Sequence, residues 1–370
     1  METRIDINEE RKEKAYEKLK KWRNEIDEEL EKDLERAKKE AKNIDREGER
    51  VIEYLEDYTL RGGKRIRPGL IVAGCKAVSD KNHEDIINAS IAAEYLQSYL
   101  IIQDDIYDED DLRRGKATVH KMYEKHHEKE LGEGNKQKFG RDLATITGDV
   151  AASLATHKLI KSNFDKETRL RAIEKLEKSN RETNYGQALD IKTNNTKLEN
   201  VEEEDIITVH KTKTARYTIA YPLDLGWILG NGDKEQRELL KNYGMKIGVA
   251  FQLYDDMLGL YGTKEKLGKS VDSDLKEGKK TLLMIKAYEN GDEEQREKIK
   301  QALGNKNITK KQVEEVRKIV KETGSYKYSR EKCEELIKEG KSVIEDTEKI
   351  DKEIKNFLLG IADYIITREV

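Results

Sequence analysis

Apolar residues along this chain fall almost everywhere into helical spacing, and the stretches where they do not mark its breaks. Residues 6–46 are heavily charged, with a thin apolar trace (Ile26, Leu30, Leu34) at four-residue intervals that predicts an exposed helix or helix pair. "VIEYLEDYTL" then runs into "RGGKRIRP", a glycine-broken basic loop, and Pro68 suits the first turn of the next helix. The stretch 88–103, "NASIAAEYLQSYLIIQ", is apolar nearly all round and predicts a buried central helix. Residues 124–142 lose the periodicity and carry glycine and charge, which predicts a surface loop. Helical texture resumes at 143–160, 169–191, 219–230 and 243–262. From 292 to 370, charged helical stretches alternate with breaks at "GNKN" and "ETGS". There is no sustained strand-like alternation and no fixed-period repeat. The pattern predicts an all-α protein of ten or more helices, with a charged helical N-terminal extension at 1–45 and one large domain at 46–370.

Composition narrows the function. Charged residues make up 40% of the 370, and there are only two prolines, which agrees with helices. The 72 basic residues nearly balance the 76 acidic ones, so no overall field favours nucleic acid or an anionic membrane. Any anion site must then be a local cluster. Cys75 and Cys333 are the only cysteines and make neither a disulfide framework nor a zinc knuckle. No apolar run reaches the roughly 18 residues needed for a transmembrane segment, and the start lacks the apolar core of a signal peptide. A cytoplasmic protein is the expectation.

Two acidic clusters carry candidate chemistry. In "QDDIYDEDDLRRG", Asp104 and Asp108 lie one helical turn apart on one face, with Cβ atoms roughly 5–6 Å apart. Carboxylates so close repel unless a cation sits between them, and Mg²⁺ with its preference for oxygen answers that need. Taken alone, the run reads more simply as the wet end of a helix. "FQLYDDMLG" repeats the pattern with Asp255 and Asp256 at the end of another apolar helix, again with a preceding glutamine, Gln252. Two such helix ends facing one another could hold several Mg²⁺ ions and, through them, a diphosphate. Basic residues stand beside both clusters. Lys64, Arg65 and Arg67 follow a Gly-Gly pair; Arg113 and Arg114 close the first motif; Lys269, Lys279 and Lys280 lie in a glycine-rich stretch after the second. Arginine forks match phosphate oxygens, and glycines let backbone approach an anion. Each basic cluster singly reads as solvated surface; their recurrence beside acidic helix ends does not.

In order, "GGKRIRP", "DDIYDEDDLRRG", "GQALD", "KTARY", "FQLYDDMLG" and "LGKSVDSDLKEGKKT" resemble the motifs of the trans-isoprenyl diphosphate synthases, or polyprenyl synthetases. The resemblance runs from about residue 45 into the C-terminal region. It implies an isoprenoid-synthase bundle of helices around a central cavity. It also implies a head-to-tail prenyl transfer, in which an allylic diphosphate ionises and isopentenyl diphosphate attacks the resulting cation. By that resemblance Asp104, Asp108 and Asp255 would be Mg²⁺ ligands, with Asp105 and Asp256 supporting them and three ions per active site. Arg113, Lys213 and Lys269 would hold the allylic diphosphate. Lys64, Arg67, Gln97 and Arg114 would hold isopentenyl diphosphate without metal, and Lys279 would add to the diphosphate-binding set. Lys213, rather than Lys211, matches the family's Lys-Thr pair. The Thr214 hydroxyl and the Gln252 side chain would favour the cation. The departing diphosphate would take the proton, and no histidine falls in a motif. A homodimer is implied, without nucleic acid and without a membrane span.

Two features depart from the family pattern. Gly259 replaces the last aspartate of the second motif, as in archaeal-type members, and the stretch 124–142 is longer than usual. For product length, Tyr99 lies five positions before Asp104, about 7.5 Å along a helix, where a bulky ring could floor the product tunnel. That arrangement resembles archaeal-type geranylgeranyl (C20) synthases; farnesyl (C15) and geranylfarnesyl (C25) products are the alternatives. A class I terpene cyclase would need no second diphosphate loop such as "GGKRIRP", and a catalytically silent partner subunit would be expected to lose the acidic motifs.

Overall fold

Residues 7–262 and 273–367 are described by a computed structural model, and nearly all of their regular structure is helical. The order begins with α1 (Glu9–Lys42), α2 (Arg46–Leu60), α3 (Ile66–Lys76), α4 (His83–Ser90) and α5 (Ala92–Tyr107). A two-residue hairpin, β1 (Leu112–Arg113) and β2 (Lys116–Ala117), leads to α6 (Val119–His126), α7 (Lys136–Lys161) and α8 (Lys166–Asn194). Then come α9 (Glu203–Val209), a π-helical segment His210–Ala220, α10 (Tyr221–Gly230) and α11 (Lys234–Tyr261). Further helices follow, among them Leu282–Asn290, Lys310–Glu322, Ser325–Glu345 and Lys352–Thr367. The breaks expected at "GNKN" and "ETGS" fall between helices, and Gly324 sits in the left-handed region (φ 73°) where one helix hands over to the next.

The chain divides into two compact units. One comprises Glu17–Glu177 and Leu225–Asn231; the other comprises Met1–Tyr16, Lys178–Asp224 and Gly232–Val370. In the first unit α5 and α7 pack along their length, with α2, α3, α4 and α6 around them. In the second, α11 lies between the π-helical segment and Ser325–Glu345. Among the described residues no helix is long and apolar enough to cross a membrane.

Two expectations are corrected. The N-terminal stretch forms a single helix, α1, whose apolar trace is buried rather than exposed. Leu19 and Trp22 extend the trace through Ile26, Leu30 and Leu34, making a continuous stripe at three- and four-residue spacing. Gly69 of α3 admits the stripe, since a Cβ there would lie 2.6 Å from Leu19 Cδ1. Charge disguised this helix because some of its acids are internal. Glu29 and Asp33 receive the buried Lys158 ammonium at 3.0 and 2.8 Å, and Tyr95 donates to Asp33.

The stretch 124–142 is mostly helix, not loop. α6 continues as a π turn, His127–Leu131, and stops at Gly132 (φ 75°). Asn135 then caps α7 by accepting from the Lys138 N–H. A π turn carries more residues than an α turn, so the 3.6-residue period is lost while the backbone stays helical. His126 and His127 are buried there, and both rings pack on Phe139.

Candidate active site

α5 ends on an acidic turn. The Asp108 N–H caps it by donating to the Asp104 carbonyl at 2.9 Å, and the last turn holds no basic residue. A helix C-terminus already carries partial negative charge, so carboxylates gathered there need cations from elsewhere. The three aspartates meet that need differently. Asp105 is buried and satisfied within the protein: Tyr58 donates to Oδ2 at 2.6 Å, while Arg113 donates to Oδ1 from Nε at 2.8 Å and also reaches Asp110 at 3.0 Å. Burial lifts the Asp105 carboxyl above the usual range despite the Arg113 charge. Burial and the Asp105 charge together keep the Tyr58 phenol protonated. Asp105 is therefore a structural anchor of the acidic turn. Asp104 and Asp108 present hard oxygen donors one turn apart, a donor set that suits Mg²⁺. Asp110 is drawn in by Arg113, whereas Glu109 and Asp111 are exposed.

The basic loop lies in the same unit. Gly62 (φ 91°) and Gly63 (φ 125°) turn the chain where side-chain-bearing residues would be strained. Arg114 braces it. Arg114 and Gly115 are the two left-handed residues of the β1–β2 turn (φ 53° and 75°), which fits a type I′ hairpin. From there the Arg114 guanidinium donates to the Gly62 carbonyl and lies over Gly63, where a Cβ would come within 2.9 Å of Nη2. Arg65 is buried, while Lys64 is exposed and Arg67 half-buried on either side of it. A cavity of about 290 Å³, part of it open to solvent, is lined by Arg65, Glu94, Gln97, Arg113 and Arg114. The buried Gln97 Oε1 has no hydrogen-bond partner. Tyr99 and Gln103 lie against Gly148 of α7, where a Cβ would meet the Tyr99 ring at 3.4 Å and the Gln103 amide at 2.9 Å.

The second unit holds the remaining candidates. Lys213 sits on the π-helical segment and donates to Asp190, the last residue of "GQALD", at 2.6 Å. The segment is held by close backbone packing. Gly186 of α8 faces Lys213, and Gly248 and Gly244 of α11 face Ala215 and Ala220, with a Cβ at any of the three 2.5–2.7 Å from backbone atoms. Thr214 is half-buried beside Lys213. Lys211 is exposed and pairs loosely with Glu204 at 3.6 Å. On α11, Gln252 donates to Asp256 Oδ1 at 2.8 Å, and His210 Nε2 lies 3.1 Å from Oδ2. Asp256 is thus engaged internally, as Asp105 is, and Asp255 is its half-exposed neighbour. Beside Gly259 the Asp274 carboxylate occupies the space a Cβ would need, so an acidic group stands close to the position where the motif lacks one. Lys279 pairs with Glu277 at 2.8 Å. Lys280 donates to the Asn194 carbonyl, and burial lowers its pKa. Lys269 lies outside the described residues.

Sequence reasoning missed four groups here: Tyr58, His210, Asp190 and Asp274. Asp190 had a signal, because it closes a recognised motif. The other three meet their partners only through the fold.

The model of one family, polyprenyl synthetase, matches residues 49–322. The chain belongs to that family. This polyprenyl synthetase is accordingly a prenyltransferase of a magnesium-dependent family, and its two acidic turns offer the donors such an ion takes. It is 34% identical over 252 residues to a short chain isoprenyl diphosphate synthase of Methanocaldococcus jannaschii, covering 68% of this chain and 70% of that one. It is 32% identical over 254 residues to a geranylgeranyl diphosphate synthase of Saccharolobus solfataricus, covering 68% and 70%. Its fold matches a crystal structure of geranylgeranyl pyrophosphate synthase from Corynebacterium glutamicum, complexed with isoprenyl diphosphate and magnesium. There the TM-score is 0.90 and the identity 30%, over 95% of this chain and 99% of that one.

Proposed function

We propose that this synthetase condenses isopentenyl diphosphate with allylic diphosphates to make geranylgeranyl diphosphate. The observation that carries the reading is the Arg114 brace, which sets a glycine-hinged basic loop beside an acidic helix end. A condensation of two diphosphates needs two kinds of anion site, one that works through metal and one that works through cationic side chains alone. Asp104, Asp108 and Asp255 would hold Mg²⁺, three ions in all, with Asp105 and Asp256 holding the acidic turns in shape. When bound, the metal stabilises charge on the leaving diphosphate. Arg113, Lys213 and Lys269 bind the allylic diphosphate; Lys64, Arg67, Gln97 and Arg114 bind isopentenyl diphosphate, and Lys279 supports the diphosphate contacts. Arg113 must exchange part of its pairing with Asp105 and Asp110 to do so, and Lys213 part of its pairing with Asp190. The Thr214 hydroxyl and Gln252 favour the allylic cation, and the departing diphosphate accepts the proton lost on condensation. Tyr99, with its ring against Gly148, sets the chain length; the C20 product is also the one named for several relatives.

The test is to incubate the purified chain with Mg²⁺, isopentenyl diphosphate and, separately, C5, C10 and C15 primers, and to measure the length of the extracted product. A C20 product supports the reading, whereas a C15 or C25 product corrects its length. Diphosphate release without elongation overturns it. Exposed Ile146 and Ile160 on α7 give a second copy something to bury, which supports a cytosolic homodimer; size-exclusion chromatography with light scattering checks the assembly.

A further inference from the structure

The N-terminal helix reaches the basic loop through one side chain. Asp27 of α1 accepts from Arg65 Nε at 2.6 Å. The rest of the Arg65 fork goes to Glu94 Oε2 at 2.6 Å and to the Thr59 carbonyl at 2.9 Å. Arg65 stands between Lys64 and Arg67 and is itself left-handed (φ 50°, ψ 39°), at the N-cap of α3. A residue with a Cβ keeps that conformation only where its surroundings over-determine it. Burial works against the Arg65 charge, but Glu94 and Asp27 outweigh it and hold the guanidinium above its ordinary pKa.

Glu94 is placed to act on a second arginine. Burial lowers the Arg114 pKa, Glu94 opposes that, and Arg65 adds to it. Without Asp27, Glu94 would be the only carboxylate left to Arg65. The Arg65 guanidinium would then keep Glu94 and the Thr59 carbonyl, and the loop would lose its tie to α1. Asp27 has one further tie, a longer pairing with Arg23 at 3.4 Å on its own helix.

We propose that Asp27 is a positioning residue for isopentenyl diphosphate binding, acting through Arg65 on the Gly62–Arg67 loop; this rests on the condensation reading above. It touches no substrate. It fixes the backbone from which Lys64 and Arg67 project. None of the hydrogen bonds given above for Asp27, Arg65 or Arg114 goes to Arg113 or Lys213, although Arg113 lines the same cavity as Arg65 and Arg114.

The test separates the two substrates. Asp27→Ala, Asp27→Asn and Asp27→Glu are assayed for kcat and for KM toward each diphosphate, with melting temperatures measured alongside. Because Asp27 is partly exposed and the asparagine keeps its shape, the Asn variant guards against a folding failure. The expected result is a KM for isopentenyl diphosphate raised about tenfold in the Ala and Asn variants, the loss of one charge-assisted contact, with KM for the allylic primer and kcat within about twofold of wild type. Asp27→Glu should recover most of the loss. Unchanged constants in all three variants, or both KM values and kcat moving together with the melting temperature, would overturn the proposal. A wild-type chain that elongates no primer would overturn the functional reading and this inference together; one that elongates while the variants match it overturns this inference alone.

Discussion

At the scale of single residues, the acidic turn divides its labour by burial. Asp105 is closed off by Tyr58 and Arg113, so the metal role proposed for this turn falls to its neighbours one position before and three after. Asp104→Ala is expected to reduce turnover by about 10³-fold, because charge developing on the leaving group loses a metal-held partner. The melting temperature of the metal-free protein should hold or rise, since repulsion at the helix end is relieved. Turnover near wild type would remove Asp104 from the metal set. Tyr99→Ala should lengthen the product by one or more five-carbon units, read by chromatography of the extracted alcohols. Gly148 already leaves room beside that ring, so removing it opens continuous space between α5 and α7. Much of this scale was legible in the sequence, because helical spacing alone puts Asp104 and Asp108 on one face. The engagement of Asp256 by His210 was not legible: those residues lie 46 positions apart (256 − 210) and meet only when α11 packs on the π-helical segment.

At the scale of elements, the π-helical segment is the least guessable part of the fold. Its sequence, "HKTKTARYTIA", carries no mark of the wider turn, and its width comes from how it is held rather than from what it contains. Three glycines on two neighbouring helices let it sit close, and Gly186 lies against the backbone of Lys213 itself. Gly186→Ala should cost about 1–3 kcal/mol by overpacking. It should also lower kcat more than Gly244→Ala does, because only the former pushes Lys213; denaturant melts and steady-state assays of the pair decide this. A π turn also explains why 124–142 looked like a loop. Periodicity detects a helix only while the period is 3.6.

At the scale of the molecule, the all-α class was plain from spacing and composition, whereas the burial of charge was not. A chain with 40% charged residues invites the assumption that its charges face water, yet several of its acids are internal fastenings. Glu203 shows what this means for stability. Lys332, Tyr328 and Lys286, from two other helices, converge on it, and despite burial they hold its carboxyl down to about 2. A depressed carboxyl contributes stability above its unfolded value near 4.5 and loses it as pH falls from there toward 2. Glu203→Gln should therefore cost about 1 kcal/mol at pH 7, after allowance for solvent screening. The difference from wild type should fade in thermal melts run below pH 4.5.

The ion pairs of α1 also set a timetable. Asp27 finds its arginine 38 residues later, and Asp33 its lysine 125 residues later. Arg11 meets the fully buried Asp363, which Lys341 also holds, across 352 residues. During synthesis α1 emerges early, carrying an apolar stripe and acids that nothing yet answers. Its middle can settle only once α7 has been made, and its first turns only when the helix Lys352–Thr367 has left the ribosome. A chain interrupted before that point therefore shows the first turns of its oldest helix unfastened, the state in which a chaperone or a protease would find it.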